Sequence, residues 1–308
     1  MNEKQTGNIV TNGINSRSLW AEAWLRFKRN RVAVAGLIFV AFLIVVSIAT
    51  LVLDLVTSNE IYNAYVVKQN LSLKLAPPSA EHVFGCDEYG RDILFRLIWG
   101  TRYSLFIGVV SIAIALVGGG ILGSIAGFYG GKVDQMIMRV MDVFLSIPSM
   151  VMAIAIVSAL GTGMTNLLFS IAVPQIPRLA RIVRASVMSV KDREFVEAAR
   201  SVGAGDFEII LKYIIPNALS PIIVQASLSV GAAILSIAGL SFLGIGVQPP
   251  APEWGSILNA ARTYMRDAWH ISVIPGLMIM ITVLSLNVAG DGPVSYTHLR
   301  AHETGAYL

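Results

Sequence analysis

The sequence predicts an all-α membrane protein, a bundle of six transmembrane helices with a cytoplasmic loop between the fourth and fifth. Three observations carry this. Hydrophobic residues make up 55% of the 308 and charged residues only 14%, against roughly 25% charged in a soluble domain. Long uncharged runs recur along the chain. Lys and Arg fall unevenly between the loops. The composition excludes a disordered, collagenous or disulfide-built chain, and the single Cys86 excludes a CxxC zinc or redox centre. With a net charge of +4 and no long basic tract, nothing points to nucleic acid.

A helix needs about 20 apolar residues to cross the hydrocarbon core. The first span is Val32–Leu53, the second Ser104–Ala126 and the fifth Pro221–Leu243, all uncharged. The third, Val143–Leu160, and the sixth, Ile271–Val288, are shorter but also uncharged. The fourth, Leu167–Val187, is interrupted by Pro174, Pro177, Arg178, Arg181 and Arg184. Arg26, Lys28, Arg29 and Arg31 precede the first span in the manner of a signal peptide, but the run is too long for one and no small-residue cleavage site follows. With the N-terminus inside, the cytoplasmic segments hold fifteen Lys and Arg and the outer ones seven, which places both termini in the cytoplasm. Trp20, Trp24, Trp99, Trp254 and Trp269 fall near span ends, as interfacial aromatics do.

Gly118-x-Gly120-x-x-Gly123 matches a dinucleotide fingerprint by letter, but it lies inside an uncharged span with no strand before it. Gly119, Gly123 and Gly127 share one helix face and read as a close-packing surface for a neighbouring helix. In the outer loop, Asp87–Gly90 reads as a turn. Ile93, Leu94, Leu97 and Ile98 then read as a short amphipathic helix on the outer membrane surface. Asp87, Glu88 and Asp92 read as salt-bridging residues rather than a cation site, since no His or thiolate stands at ligand spacing. Arg178, Arg181 and Arg184 form a stripe that reads as an interfacial anchor, with guarding of an inner pathway mouth as the other reading.

The stretch Asp192–Pro216 reads as a helix capped by Asp192 and running to Arg200, a stop at Gly203-Ala-Gly205, a second helix capped by Asp206, and an end at Pro216. Phe207, Ile210 and Ile214 make it apolar for a cytoplasmic loop. It must dock, either on a partner or on the chain's own spans.

At these residues the chain resembles a known family. Glu197-Ala198-Ala199, Gly203 and the ending Tyr213-x-Ile215-Pro216 are similar to the EAA loop of ABC importer permeases, whose usual ending is Ile-x-Leu-Pro. Gly85-Cys-Asp87-Glu-Tyr-Gly90-Arg91-Asp92 resembles the GTDxxGRD segment of the C-type permease of dipeptide, oligopeptide and nickel importers, with Cys86 in the Thr place. Ala126–Asp134 with Met138, Arg139 and Asp142, Leu240–Gly244, Gln248–Gly255 and Ser18–Trp24 resemble further stretches of that subunit, so the likeness runs from about Ser18 to Gly292. Ile237 stands where the family usually carries Glu.

The resemblance implies a type I permease bundle. It has a cytoplasmic N-terminal segment (1–31), a transmembrane permease domain (32–292) containing the EAA loop (192–216), and a tail (293–308). The tail, with His298 and His302, looks like translated vector sequence rather than native chain. The implied role is to form half of a translocation pathway for peptides, with nickel or metal-chelate and glutathione import as alternatives. The implied partners are a second homologous permease, two ABC ATPase subunits, an extracytoplasmic substrate-binding protein and the bilayer. The EAA residues would enter the ATPase. No catalytic, metal or cofactor site is expected: the chain has no GxxxxGK[ST], so ATP and Mg would sit on the partner subunits. A membrane-embedded enzyme would need paired catalytic groups at membrane depth, which the uncharged spans lack. A stand-alone carrier would have no use for an ATPase dock.

Overall fold

The computed structural model describes Lys28 and residues 30–291. Trp20, Trp24, most of the 1–31 segment and the 293–308 tail lie outside the described residues. Helix α1 (Arg31–Val56) is capped by Asn30, whose Oδ1 accepts from the amides of Val32 and Ala33. Most of its apolar side chains are exposed, as suits a helix facing lipid. Helix α2 (Ile93–Tyr129) is 37 residues long, about 56 Å at the rise of an α-helix. Helix α3 (Gly131–Leu145) joins α4 (Ser149–Leu160) at an 85° bend. Helix α5 (Met164–Met188) leads into the short α6 (Glu194–Ser201). Helix α7 (Ile215–Phe242), α8 (Trp254–Ala261) and α9 (His270–Asp291) complete the bundle.

Among the described residues, four helices are long and apolar enough to cross a membrane: α1, α2, α7 with its lead-in from Asp206, and α9. The bent pair α3–α4 makes a fifth. The remaining expected span, Leu167–Val187, is present as α5 and is long enough, but it does not pass on apolarity, because its C-terminal half carries three arginines.

Three expectations change. The third span is not a straight Val143–Leu160. Pro148 has no amide hydrogen and disfavours a helical residue before it; Ser146–Pro148 lie between the helices, the chain turns there, and Val143–Leu145 belongs to α3. The surface helix at Ile93–Ile98 is the first turn of α2 itself, because nothing between Asp92 and Gly130 breaks a helix. Trp99 and Trp254 are core rather than interfacial residues: Trp99 Nε1 donates to Asp54 Oδ1 (3.0 Å) and Trp254 Nε1 to the Leu97 carbonyl (3.0 Å). Trp269 is exposed.

The glycine face finds its partner in α5. A Cβ at Gly119 would lie 2.9 Å from the Ile176 carbonyl and the Ala180 amide. One at Gly127 would lie 2.8 Å from the Arg184 carbonyl, and one at Gly123 would overlap the Ala180 carbonyl. The two backbones therefore touch along three turns. Around this pair, α7 packs on α2, α5 and α9, and α1 on α2 and α9. Ile237, fully buried on α7, sits in a core with Ile107, Ala153, Val157, Leu167 and Ile171.

Candidate functional site

Helix α6 starts one residue later than expected. Its N-cap is Arg193, so Asp192 does not cap it. The stop at Gly203 is a Schellman motif: the amide of Ala204 donates to the Ala199 carbonyl (3.1 Å) and that of Gly203 to Arg200 (3.0 Å). Gly203 sits at φ +87°, where a side chain is strained. The second helix differs more. Gly205 precedes it, Asp206 is its first residue, and Ile209–Ile214 widen into a π-helical stretch that runs straight into α7. Pro216 therefore does not end the unit. It lies in the first turn of α7, and the wide turn before it accommodates the missing proline donor.

The loop has two faces. Val196, Ala199, Ile209 and Ile214 are buried in one cluster with Val183, Val187 and Val190 of α5 and its end, with Tyr213, Ile215 and Phe128 packed on it. Arg200 lies over the Phe128 ring, 5.9 Å from its centre. On the other face Glu197, Ala198, Gly203 and Pro216 are exposed, and nothing lies within 4 Å of a Cβ at Gly203. Val202 and Phe207 are 84% and 76% exposed, large for such side chains. Of the sequence-picked residues, Ala199, Tyr213 and Ile215 are thus internal packing, and Glu197, Ala198, Gly203 and Pro216 form an open surface. Val196, Val202, Phe207 and Ile209 were not singled out as site residues; the Val196–Ala199 spacing marks the inner face.

The Gly85–Asp92 motif is a closed charge cluster. Asp87 is buried and accepts from the amides of Tyr89 and Arg91 (2.9 Å each) and from Arg91 Nε (2.7 Å). Arg96 Nε lies 3.4 Å from Asp87, and its Nη1 donates to the Val66 carbonyl. Asp92 caps α2 through the Phe95 amide (3.2 Å) and meets His82 Nδ1 at 2.8 Å. Residues Cys86 and Asp92 pair across the turn. Gly85 and Gly90 both have positive φ, and a Cβ on Gly90 would overlap the Asn70 carbonyl. Arginine and backbone donors fill the Asp87 oxygens, so the salt-bridging reading holds. Asp87→Ala would leave the buried Arg96 guanidinium without a carboxylate and Arg91 with only Glu88 at 3.4 Å, a loss of about 3–5 kcal/mol. The detergent-solubilised variant is expected to melt well below the parent, and an unchanged melting temperature would refute this role.

Two further buried acids were not singled out as site residues, although Glu253 lies in the Gln248–Gly255 stretch. Asp54, just past the first expected span, pairs with Arg102 and Trp99. Glu253 caps α8: its Oε1 accepts from the Gly255 amide (2.9 Å) and Ser104 Oγ (3.2 Å), and its Oε2 from the Ser256 amide (2.9 Å). Burial pushes the Glu253 carboxyl up, against the pull of these donors. It ties α8 to α2 and has no open face on which to act as an acid or base.

Known proteins agree with this geometry. Residues 119–299 match the family model described as "Binding-protein-dependent transport system inner membrane component". Residues 18–78 match the "N-terminal TM domain of oligopeptide transport permease C". The chain is 42% identical over 275 residues to the dipeptide transport system permease protein DppC of Alkalihalophilus pseudofirmus, covering 89% of this chain and 88% of that one. It is 40% identical over 276 residues to the glutathione transport system permease protein GsiD of Pectobacterium atrosepticum, covering 90% and 89%. A solved structure of the MetNI methionine ABC transporter in an inward-facing conformation shares the fold, with a TM-score of 0.54 at 20% identity over 65% of this chain and 94% of that one. The chain therefore belongs to the binding-protein-dependent inner membrane transport components, as a C-type permease: a non-catalytic, multi-pass membrane subunit of an ABC importer complex.

Proposed function

We propose that this permease forms half of a pathway that imports dipeptides or oligopeptides, opposite a second homologous permease. Two ABC ATPase subunits bind ATP and Mg and drive it, and an extracytoplasmic binding protein delivers the solute. The single observation that carries the reading is the two-faced loop: its inner face is locked onto α5, while Val202, Phe207, Glu197 and Gly203 stand open for another subunit. ATPase closure would move that surface, and with it α5 and α7, shifting the bundle between inward-open and outward-open states. The peptide assignment draws on the DppC relative. Glutathione, itself a tripeptide, is the second reading, since GsiD is almost equally similar. Proteoliposomes holding the complete complex should accumulate labelled dipeptide in an ATP-dependent manner. Uptake of glutathione but of no dipeptide would reverse the two readings, and uptake of neither would end both.

The reading places the α5–α7 loop and both termini in the cytoplasm and the Asp87 motif outside. Cys86 cannot report this. It is fully buried, and burial with the charges of Asp92 and Asp87 pushes its thiol up to about 11. The parent is expected to resist an impermeant maleimide at neutral pH, so it serves as its own blank. Val83→Cys, at an exposed outer position, should label on intact cells. Gly205→Cys should label only in inside-out vesicles, and its labelling on intact cells would refute the orientation.

A further inference from the structure

Helix α3 is weakly held by apolar packing. Met141 is its one buried residue, while Met136, Val140 and Val143 are exposed. Both of its ends are joints. At the start, Gly130 and Gly131 take φ of +64° and +55° with no tight neighbour. At the end, Ser146-Ile147-Pro148 makes the 85° bend into α4. What fixes α3 against α5 is charge. Asp134, in its first turn, takes Arg184 in a two-pronged pair (Nε–Oδ1 2.5 Å, Nη2–Oδ2 2.6 Å). Asp142, in its last turn, takes Arg181 (2.7 Å). Both pairs line an open polar cleft of about 710 Å³, together with Lys132 and Arg139. The Asp142–Arg181 pair is more than half exposed and the Asp134–Arg184 pair is partly exposed at the cleft, so both can slide or part without stranding a fully buried ion.

The same C-terminal end of α5 is fixed to the loop helix on its other side. Val183 and Val187 of α5 share a core with Val196 and Ala199 of α6, so the two helices move together. We propose that Asp134, Asp142, Arg181 and Arg184 are positioning residues for transport: they couple motion of the cytoplasmic loop, through α5, to the jointed helix α3 and on to α4. The arginine stripe is then neither a simple interfacial anchor nor a solute guard. Two of its three residues, Arg181 and Arg184, are the arginine half of a linkage whose acids sit on a separate helix. The proposal rests on the importer reading above and adds the route by which that loop moves the membrane part.

The test uses the complete complex in proteoliposomes, measuring ATP hydrolysis and peptide uptake on the same vesicles. Asp134→Asn with Asp142→Asn should insert and assemble at the parent's level and keep hydrolysing ATP. Uptake should fall at least tenfold, so that the ATP consumed per peptide rises by the same factor. The Asp142–Arg181 pair is more than half exposed on both sides, so Asp142→Asn alone should fold normally and show the smaller version of the same loss. Exchanging the charges, Asp134→Arg with Arg184→Asp, should recover at least half of the coupling lost in Asp134→Asn alone, with membrane abundance and ATP hydrolysis equal in both, which separates coupling from a purely structural loss. A parent that transports, with a double variant that transports at the same ATP cost, would overturn the proposal alone. A charge exchange no better coupled than the neutralised variant would overturn it too. A parent that takes up no peptide would overturn the importer reading and this proposal with it.

Discussion

Gly123→Leu is expected to deplete the protein from the membrane almost completely. A Cβ at Gly123 would overlap the Ala180 carbonyl and lie 2.8 Å from Val183 Cβ, and Gly119 and Gly127 meet α5 equally closely one turn to either side. Those neighbours are mostly backbone or Cβ atoms, which cannot rotate away as a flexible side chain can. The two helices would have to separate along three turns. Overpacking a single site costs about 1–3 kcal/mol; at Gly123 the displaced helix also carries the core beneath the α5–α7 loop, so the loss spreads to α6. Gly120→Leu supplies the control, since it lies on the same helix and nothing stands within 4 Å of its Cβ. It is expected to accumulate like the parent. Membrane abundance and melting temperature of the two variants decide the matter, and a stable, abundant Gly123→Leu would show that the α2–α5 contact is dispensable.

That contact was legible because a four-residue glycine repeat has a direct geometric meaning on a helix. What escaped the sequence lies where partners are distant along the chain. Arg96 and Arg102 made the start of α2 look like a surface segment, since each adds a charge to any local window. In the fold Arg96 pairs with Asp87 and donates to the Val66 carbonyl, Arg102 donates to Asp54, and the helix runs on unbroken from Ile93. Likewise the arginine stripe on α5 read as an interfacial feature because Asp134 and Asp142 are roughly 40 to 50 residues away. Pro216 read as a stop because proline usually is one. In the fold, the π-helical stretch before it absorbs the missing donor, a backbone solution that residue types alone do not announce. The EAA positions were legible as a motif, but their division into a buried and an open face was not. Ala198 and Ala199 are adjacent and chemically identical, and only the direction of α6 against α5 separates them.

That division yields the second large effect. Val202→Ser with Phe207→Ser is expected to leave the protein inserted at normal levels while abolishing its co-purification with the ATPase and its ATP-dependent uptake. Both side chains are mostly exposed and outside the loop's core, and surface substitutions of this kind change stability by about 0.5 kcal/mol or less. As aromatic and aliphatic anchors in an interface they would each contribute on the order of 2 kcal/mol, and the pair together a hundredfold or more in affinity. Gly203→Trp follows the same logic with one added cost: nothing in the chain would clash with the new ring, but the positive φ costs about 1–2 kcal/mol. It should insert, somewhat destabilised, and lose the ATPase by collision with it. Glu197→Lys places a cation in the first turn of α6, a helix-dipole cost of about 0.3–1 kcal/mol. It too should insert while binding the ATPase less well. Val196→Asp is the opposite case, because Val196 is 1% exposed in the loop's own core. An unpaired carboxylate there should deplete the protein from the membrane before any partner is involved. If the serine pair also depletes it, the outer face belongs to this chain's fold rather than to a partner. Full ATPase binding and uptake by the serine pair would show that the ATPase grips some other surface.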